Sequence, residues 1–188
     1  IGAVALGFLF VSPAKAERLI VQGGYYYLLL VFALWILTGA RVLADGRRAW
    51  SARLREQRLL VAAAVGCAVF AFASDERGHK ILYDEFVIQG TAWNLHASKE
   101  VGVPLRAYEI AGAWTPIDTY LDKRPYFYAL LVSLTHDLTG FRVVNAFLVN
   151  ALLAMVCIAL TGWLALVLTG RREAAALAMV LLATTPLF

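Results

Sequence analysis

Long stretches without a charged residue set the organisation of this chain. Apolar runs fall at 1–12, 19–40, 59–73, 143–169 and 174–188, and about 20 residues of helix cross the hydrocarbon of a bilayer. The runs at 19–40 and 143–169 reach that length. The run at 59–73 gains by extension back to Arg58, whose long side chain can snorkel to the interface. The first and last runs are cut by the chain ends, so the pattern predicts truncated membrane helices there and a piece of a longer protein. Residues 1–16, ending in "SPAKA", have a second reading as a signal peptide, although a basic leader is missing.

Between the third and fourth runs the pattern changes. Residues 74–142 carry nine of the thirteen acidic residues, and a structureless stretch of this length is uncommon. Two parts read as helices: one over about 84–97, with Asp84 and Glu85 in its first turn, and one over about 125–138, "PYFYALLVSLTHDL", with a proline at its start. Both suit the membrane interface, where Tyr and Trp are favoured. The intervening "VGVPLRAYEIAGAWTPIDTYLDK" reads as irregular loop because of its Gly and Pro residues.

Composition agrees with a membrane class. The chain is 61% hydrophobic and 16% charged, with mean hydropathy +0.70. Its charge is informative by position. The segment 41–58 holds Arg41, Arg47, Arg48, Arg53, Arg55 and Arg58 against Asp45 and Glu56, which marks it as cytoplasmic. The helix at 59–73 then runs outward, 74–142 lies outside, 143–169 returns, and "RRE" at 171–173 is a cytoplasmic turn. The expected fold class is therefore all-α: one polytopic domain in the cell membrane, with interfacial helices in a long first extracytoplasmic loop. Cys67 and Cys157 both lie in apolar runs and suggest neither a disulfide framework nor a metal site. Membrane lipids are the expected surroundings, and nothing points to nucleic acid.

Helical phase separates the adjacent carboxylates. Glu85, Gln89 and His96 fall within about 40° of one another, whereas Asp84 shares a sector with Ile88, Thr91 and Leu95. Downstream, Lys123 and Arg124 in "YLDKRPYFY" precede a helix whose dipole would favour anions, so two cations at that point mark an anion site. At a membrane surface the obvious anion is a phosphate. Asp75 with Glu76 reads as a solvated helix exit. Asp118 and Asp122 read as solvated loop acids, His79 and His136 as structural, and Asn145 and Asn150 as helix-to-helix contacts.

"YDEFVIQGTAWNLHASKEVGVP", followed by "YLDKRPYFYALLVSLTHDLTGFRVVNAFLVNALLA", resembles the N-terminal part of the GT-C superfamily of polytopic glycosyltransferases. The likeness is to the branch of protein O-mannosyltransferases and bacterial aminoarabinose transferases. It covers about 59–188, with its specific part in 83–145: the Asp-Glu pair, the Val103-Pro104 step, the Lys-Pro-like turn, and Gly140-Phe141-Arg142 before the next membrane helix. The resemblance implies transfer of a sugar from a polyprenyl-phosphate-linked donor to a protein, lipid or glycan acceptor outside the cytoplasm. Asp84 would be the catalytic carboxylate, acting on the acceptor or helping to bind a divalent cation, and Glu85 its support. Lys123 would hold the carrier phosphate, with Arg124 sharing or displacing it. His96, on the stripe of Glu85 and Gln89, reads either as an aid to acceptor or substrate binding or as a plain polar contact. The chain has Lys-Arg-Pro where many members have Lys-Pro, and its connection from Pro104 to Lys123 is longer than in the aminoarabinose enzymes. The apolar region at 1–40 would be an additional helical hairpin. The alternative class is a transporter or scaffold whose loop docks lipid headgroups; it predicts paired charges inside the membrane helices, which the apolar runs lack.

Overall fold

The computed structural model of this chain describes residues 11–46, 55–74 and 83–185. Its elements in chain order are α1 (Pro13–Asp45), α2 (Arg58–Ser74), α3 (Tyr83–Ala97), β1 (Val103–Ile110), β2 (Ala113–Tyr120), α4 (Tyr126–Thr139), α5 (Val144–Thr169) and α6 (Arg172–Thr184). The protein is mostly helical, with one hairpin.

Helices α1 and α5 are long and apolar enough to cross a membrane, and almost none of their apolar stretches is buried within the protein. Leu30, Leu34, Trp35 and Leu37 on α1, with Leu152, Leu160 and Leu164 on α5, are all exposed. Exposed apolar surface on this scale is unfavourable in water and is covered by lipid in a bilayer, which points to membrane association. At 1.5 Å per residue, the 33 residues of α1 span about 50 Å, against roughly 30 Å of hydrocarbon.

Several expectations change. Residues 13–45 form one uninterrupted helix, which the interior glycines Gly23, Gly24 and Gly39 do not break; the first arm of the expected hairpin lies outside the described residues. That helix also takes in Arg41–Asp45, where a basic loop is predicted to begin. Residues 47–54 of that loop, the apolar run at 1–10, and Asp75, Glu76 and His79 lie outside the described residues. Helix α6 has 13 residues, too few to cross the hydrocarbon.

The all-α expectation fails at 103–120, where the predicted irregular loop is an antiparallel hairpin. "VPLRAYEI" and "AWTPIDTY" alternate well enough to pair once the turn is placed at Ala111–Gly112, where both φ angles are positive, 53° and 81°. That two-residue turn matches the right-handed twist of the strands. Pro104 and Pro116 suggested loop, yet each strand has a free edge on which a proline removes no ladder bond.

The described residues fall into two compact units: 11–36 with 83–145, and 37–46 and 55–74 with 146–185. In the second unit α2 packs on α6, with Ala64, Ile158 and Met179 at the centre. In the first, α3 and α4 lie side by side. Asp84 at the start of α3 meets Arg124 before α4, and His96 at the end of α3 meets Asp137 at the end of α4, so the two helices run parallel. Between them sit Val87, Thr91, Leu95, Leu130, Val132 and Ser133. The loop leaving α3 is anchored twice. Asn94 Nδ2 donates to the carbonyls of Glu100 and Gly102, each at 3.2 Å, and Val101 N–H donates to the Val21 carbonyl of α1 at 2.9 Å. Gly24 makes this approach possible, since a Cβ there would stand 2.7 Å from Val101 Cγ2.

Candidate functional site

The parallel arrangement brings two helix N-termini to one end of the pair, and the predicted acids and cations gather there. Asp84 shares its helical sector with Thr91 and Leu95, which are buried against α4, so its side chain emerges where that interhelical seam ends. Arg124 reaches it across the seam: Nη2 donates to Asp84 Oδ1. The same guanidinium donates through Nη1 to Asp122 Oδ2 at 2.7 Å, and the Arg124 backbone N–H reaches that oxygen at 3.3 Å. Asp122 is in turn fixed by Tyr126. The Tyr126 hydroxyl accepts from the Asp122 N–H at 3.0 Å and donates to the Asp122 carbonyl at 2.8 Å. The result is a closed turn, Asp122 to Tyr126, that holds one arginine between two carboxylates.

Exposure divides the roles. The Asp122 side chain is 9% exposed, that of Arg124 25%, and that of Asp84 68%. The hydrogen bond from Arg124 holds the Asp122 carboxyl below the usual carboxylate range, while hydrogen bonds to Asp122 and then Asp84 raise Arg124 above its ordinary value. Asp84 therefore presents its free oxygen to the surroundings, while Asp122 and Arg124 serve as its bracket. Lys123 is exposed, and among the described residues it makes no ion pair. Of the two cations singled out in the sequence, Arg124 is already neutralised twice and Lys123 remains available to an anion at the start of α4.

No protein-family model, curated protein or solved structure matches this chain. The site is therefore assessed on its own geometry.

Glu85 projects away from Asp84, as the phase requires. Its Oε2 and the Oε1 of Gln89, one turn later, are both enclosed and have no partner among the described residues. Two enclosed acceptors one turn apart call for a donor between them. His96 is not brought to this end. It lies 12 residues along the helix from Asp84, about 18 Å at 1.5 Å per residue. Its Nδ1 is 2.6 Å from Asp137 Oδ1, and Lys99 Nζ grips both oxygens of Asp137 at 2.8 and 2.9 Å. Burial works to lower Lys99, but its hydrogen bond to Asp137, the attraction of that charge and the contribution of Tyr25 together outweigh this and leave it raised. Burial likewise pushes Asp137 up, and the bonds from Lys99 and His96 bring it below its ordinary value.

His136 is fully buried one residue earlier and sits 5.7 Å from the His96 ring. Asn145 Nδ2 donates to its Nδ1 at 2.8 Å, and burial lowers its pKa. The structural reading of His136 holds. Asn145 fastens the α4–α5 junction through Thr139 and Gly140 as well.

Asp122 departs from the solvated reading, whereas Asp118 stays 43% exposed on a strand rather than a loop. Asp118 pairs with Arg106 across the hairpin, and Asp122 is the least exposed member of the site. The available signal was the i, i+2 spacing of Asp122 and Arg124 before a proline, which favours a tight turn. As for a divalent cation, no group of three or more His, Cys, Asp or Glu stands together among the described residues. Arg124 holds one oxygen of Asp84 and one of Asp122, so the site brings together two carboxylates rather than three donors of that kind.

Proposed function

We propose that this chain belongs to a membrane glycosyltransferase that moves a sugar from a polyprenyl-phosphate-linked donor to an acceptor outside the cytoplasm. The observation that carries the reading is the junction of Asp84, Arg124 and Asp122 beside an unneutralised Lys123, at the common N-terminal end of two parallel helices. Transfer needs a carboxylate for the acceptor and a cation for the departing phosphate, and this junction holds both.

The level of the site along α1 supports a lipid-borne donor. The loop after α3 meets α1 at Val21 and Gly24, whereas Phe127 at the start of α4 packs on Phe32 with ring centres 5.7 Å apart. Phe32 lies about 12 Å further along α1 than Gly24. There Leu30, Leu34 and Trp35 expose apolar surface, so the anion site stands beside a lipid-facing band of α1 rather than open water. With 41–58 cytoplasmic, the loop and its site are extracytoplasmic.

In the proposed step the acceptor hydroxyl oxygen bonds to the anomeric carbon as the bond from that carbon to the phosphate oxygen breaks. Asp84 takes the hydroxyl proton. The electron pair leaves with the polyprenyl phosphate, whose charge Lys123 and the α4 N-terminus stabilise. Arg124 and Asp122 position Asp84 and touch neither reactant.

The test is binding of geranylgeranyl phosphate to the purified protein. Saturable binding that weakens at least tenfold in Lys123→Ala supports the reading; binding indifferent to Lys123→Ala and to Lys123→Ala with Arg124→Ala removes the phosphate site. The headgroup-docking alternative predicts equal binding of phospholipid headgroups lacking an isoprenyl chain.

A further inference from the structure

On the face of α3 turned away from Asp84, a cleft of about 460 Å³ runs between the helix and the base of the hairpin. Phe86 and Trp93 on α3 lie about 180° in helical phase from Asp84, and with Trp114 and Phe141 they line the cleft. Its size falls within the roughly 300–1,000 Å³ of small-molecule sites. The lining offers a ligand almost nothing polar. Arg106 at its rim is neutralised by Asp118, and the Gln89 oxygen is enclosed rather than presented to the opening. Even so, Phe86, Trp114 and Phe141 are each more than half exposed, so the apolar surface is displayed but uncovered by the described residues.

We propose that this cleft holds an acyl chain of a bilayer phospholipid. Charge excludes an anionic or polyhydroxylated ligand, since either would leave its own groups without partners against this lining. Position favours the bilayer. The N-terminal ends of α3 and α4 lie toward the lipid-facing band of α1 around Phe32, and their C-terminal ends toward Val21, so the Phe86 end of the cleft is the deeper one. A chain entering there passes Phe86 toward Trp93, with Trp114 on the hairpin forming part of the wall. The polyprenyl chain of a donor whose phosphate rests on Lys123 starts from the opposite side of α3, which leaves this cleft to a resident lipid. The bound chain would seat the hairpin against α3.

This inference rests on membrane embedding and not on transfer activity, so the two fail separately. The full chain is reconstituted in phosphatidylcholine vesicles with acyl chains brominated at mid-length, in forms that keep only Trp93 or only Trp35. Bromines quench tryptophan emission on contact. The half-buried Trp93 is expected to be quenched as strongly as the lipid-facing Trp35. Ala107→Phe, which fills the cleft, and Leu105→Glu, which places a charge at an exposed position on its wall, should each reduce Trp93 quenching at least twofold and leave Trp35 unchanged. An unquenched Trp93 beside a quenched Trp35 overturns the proposal, as does quenching that neither substitution changes. Relief of Trp93 quenching by geranylgeranyl phosphate would assign the cleft to an isoprenyl chain instead and overturns it too. An unquenched Trp35 contradicts the membrane reading itself and takes the proposal with it.

Discussion

Lys123 and Arg124 differ in what each touches. A guanidinium spans two carboxylates because its nitrogens fork in a plane, and Arg124 uses that fork on Asp84 and Asp122. An ammonium cannot, so Arg124→Lys is expected to behave like Arg124→Ala. In a full-length transfer assay both should lower kcat at least tenfold while the KM for the lipid donor changes less than threefold; Lys123→Ala should do the reverse. Equal effects of the two on KM would remove the division of labour. His136 gives a pH prediction. Its ordinary pKa is 6.5 and burial lowers it in the folded state, so the unfolded chain takes up the proton first. The stability this neutral histidine contributes is intact above pH 6.5 and is lost as pH falls from there through the lowered value. The groups facing it are His96, Asp137 and Asn145, and of these Asp137 favours protonation. A melting curve should therefore show the midpoint dropping from pH 7 to pH 5, and less so in His136→Gln. A midpoint equally pH-dependent in both proteins would contradict this. Asp84, Glu85 and Lys123 could be singled out from sequence because charge next to a greasy run is conspicuous. Asp122 could not, since its importance comes from the 40-residue contact its arginine makes with α3.

Periodicity located the helices well and the hairpin badly. The spans 84–97, 125–138 and 143–169 are each matched within about two residues at either end, because a helix reports itself through local spacing and through Pro125 and Gly140 at its ends. A hairpin depends on register, and a bulge beside Arg106 shifts the alternation, so Pro104 and Pro116 dominated the local pattern. That α3 and α4 are parallel was equally hidden, as only the length of the crossover permits it. Asn145 at the α4–α5 junction is where one residue holds two elements together. Asn145→Leu leaves His136, Thr139 and the Gly140 carbonyl without their donor, and an unsatisfied buried polar group costs about 1–3 kcal/mol. Chemical denaturation should show a loss in that range, with Asn150→Leu, an exposed position on the same helix, near neutral. Similar losses at both positions would mean that the junction is not held through Asn145.

At the scale of the whole molecule, composition established the apolar class before any residue was considered, and the exposed flanks of α1 and α5 agree with it. The sidedness comes from the arginines alone. It predicts that a cysteine at Leu138, 87% exposed, reacts with a membrane-impermeant maleimide added outside intact cells, whereas one at Arg171 reacts only after permeabilisation. The opposite pattern would invert the topology and place the site in the cytoplasm. The most direct test of the catalytic account is made on the complete protein in vesicles: release of polyprenyl phosphate from a lipid-linked sugar in the presence of acceptor, compared between wild type and Asp84→Asn at equal folded amount. With the proton acceptor removed and the shape retained, release is predicted to fall by about 10²–10⁴. Wild-type release from Asp84→Asn would contradict the assignment of Asp84 as the catalytic carboxylate.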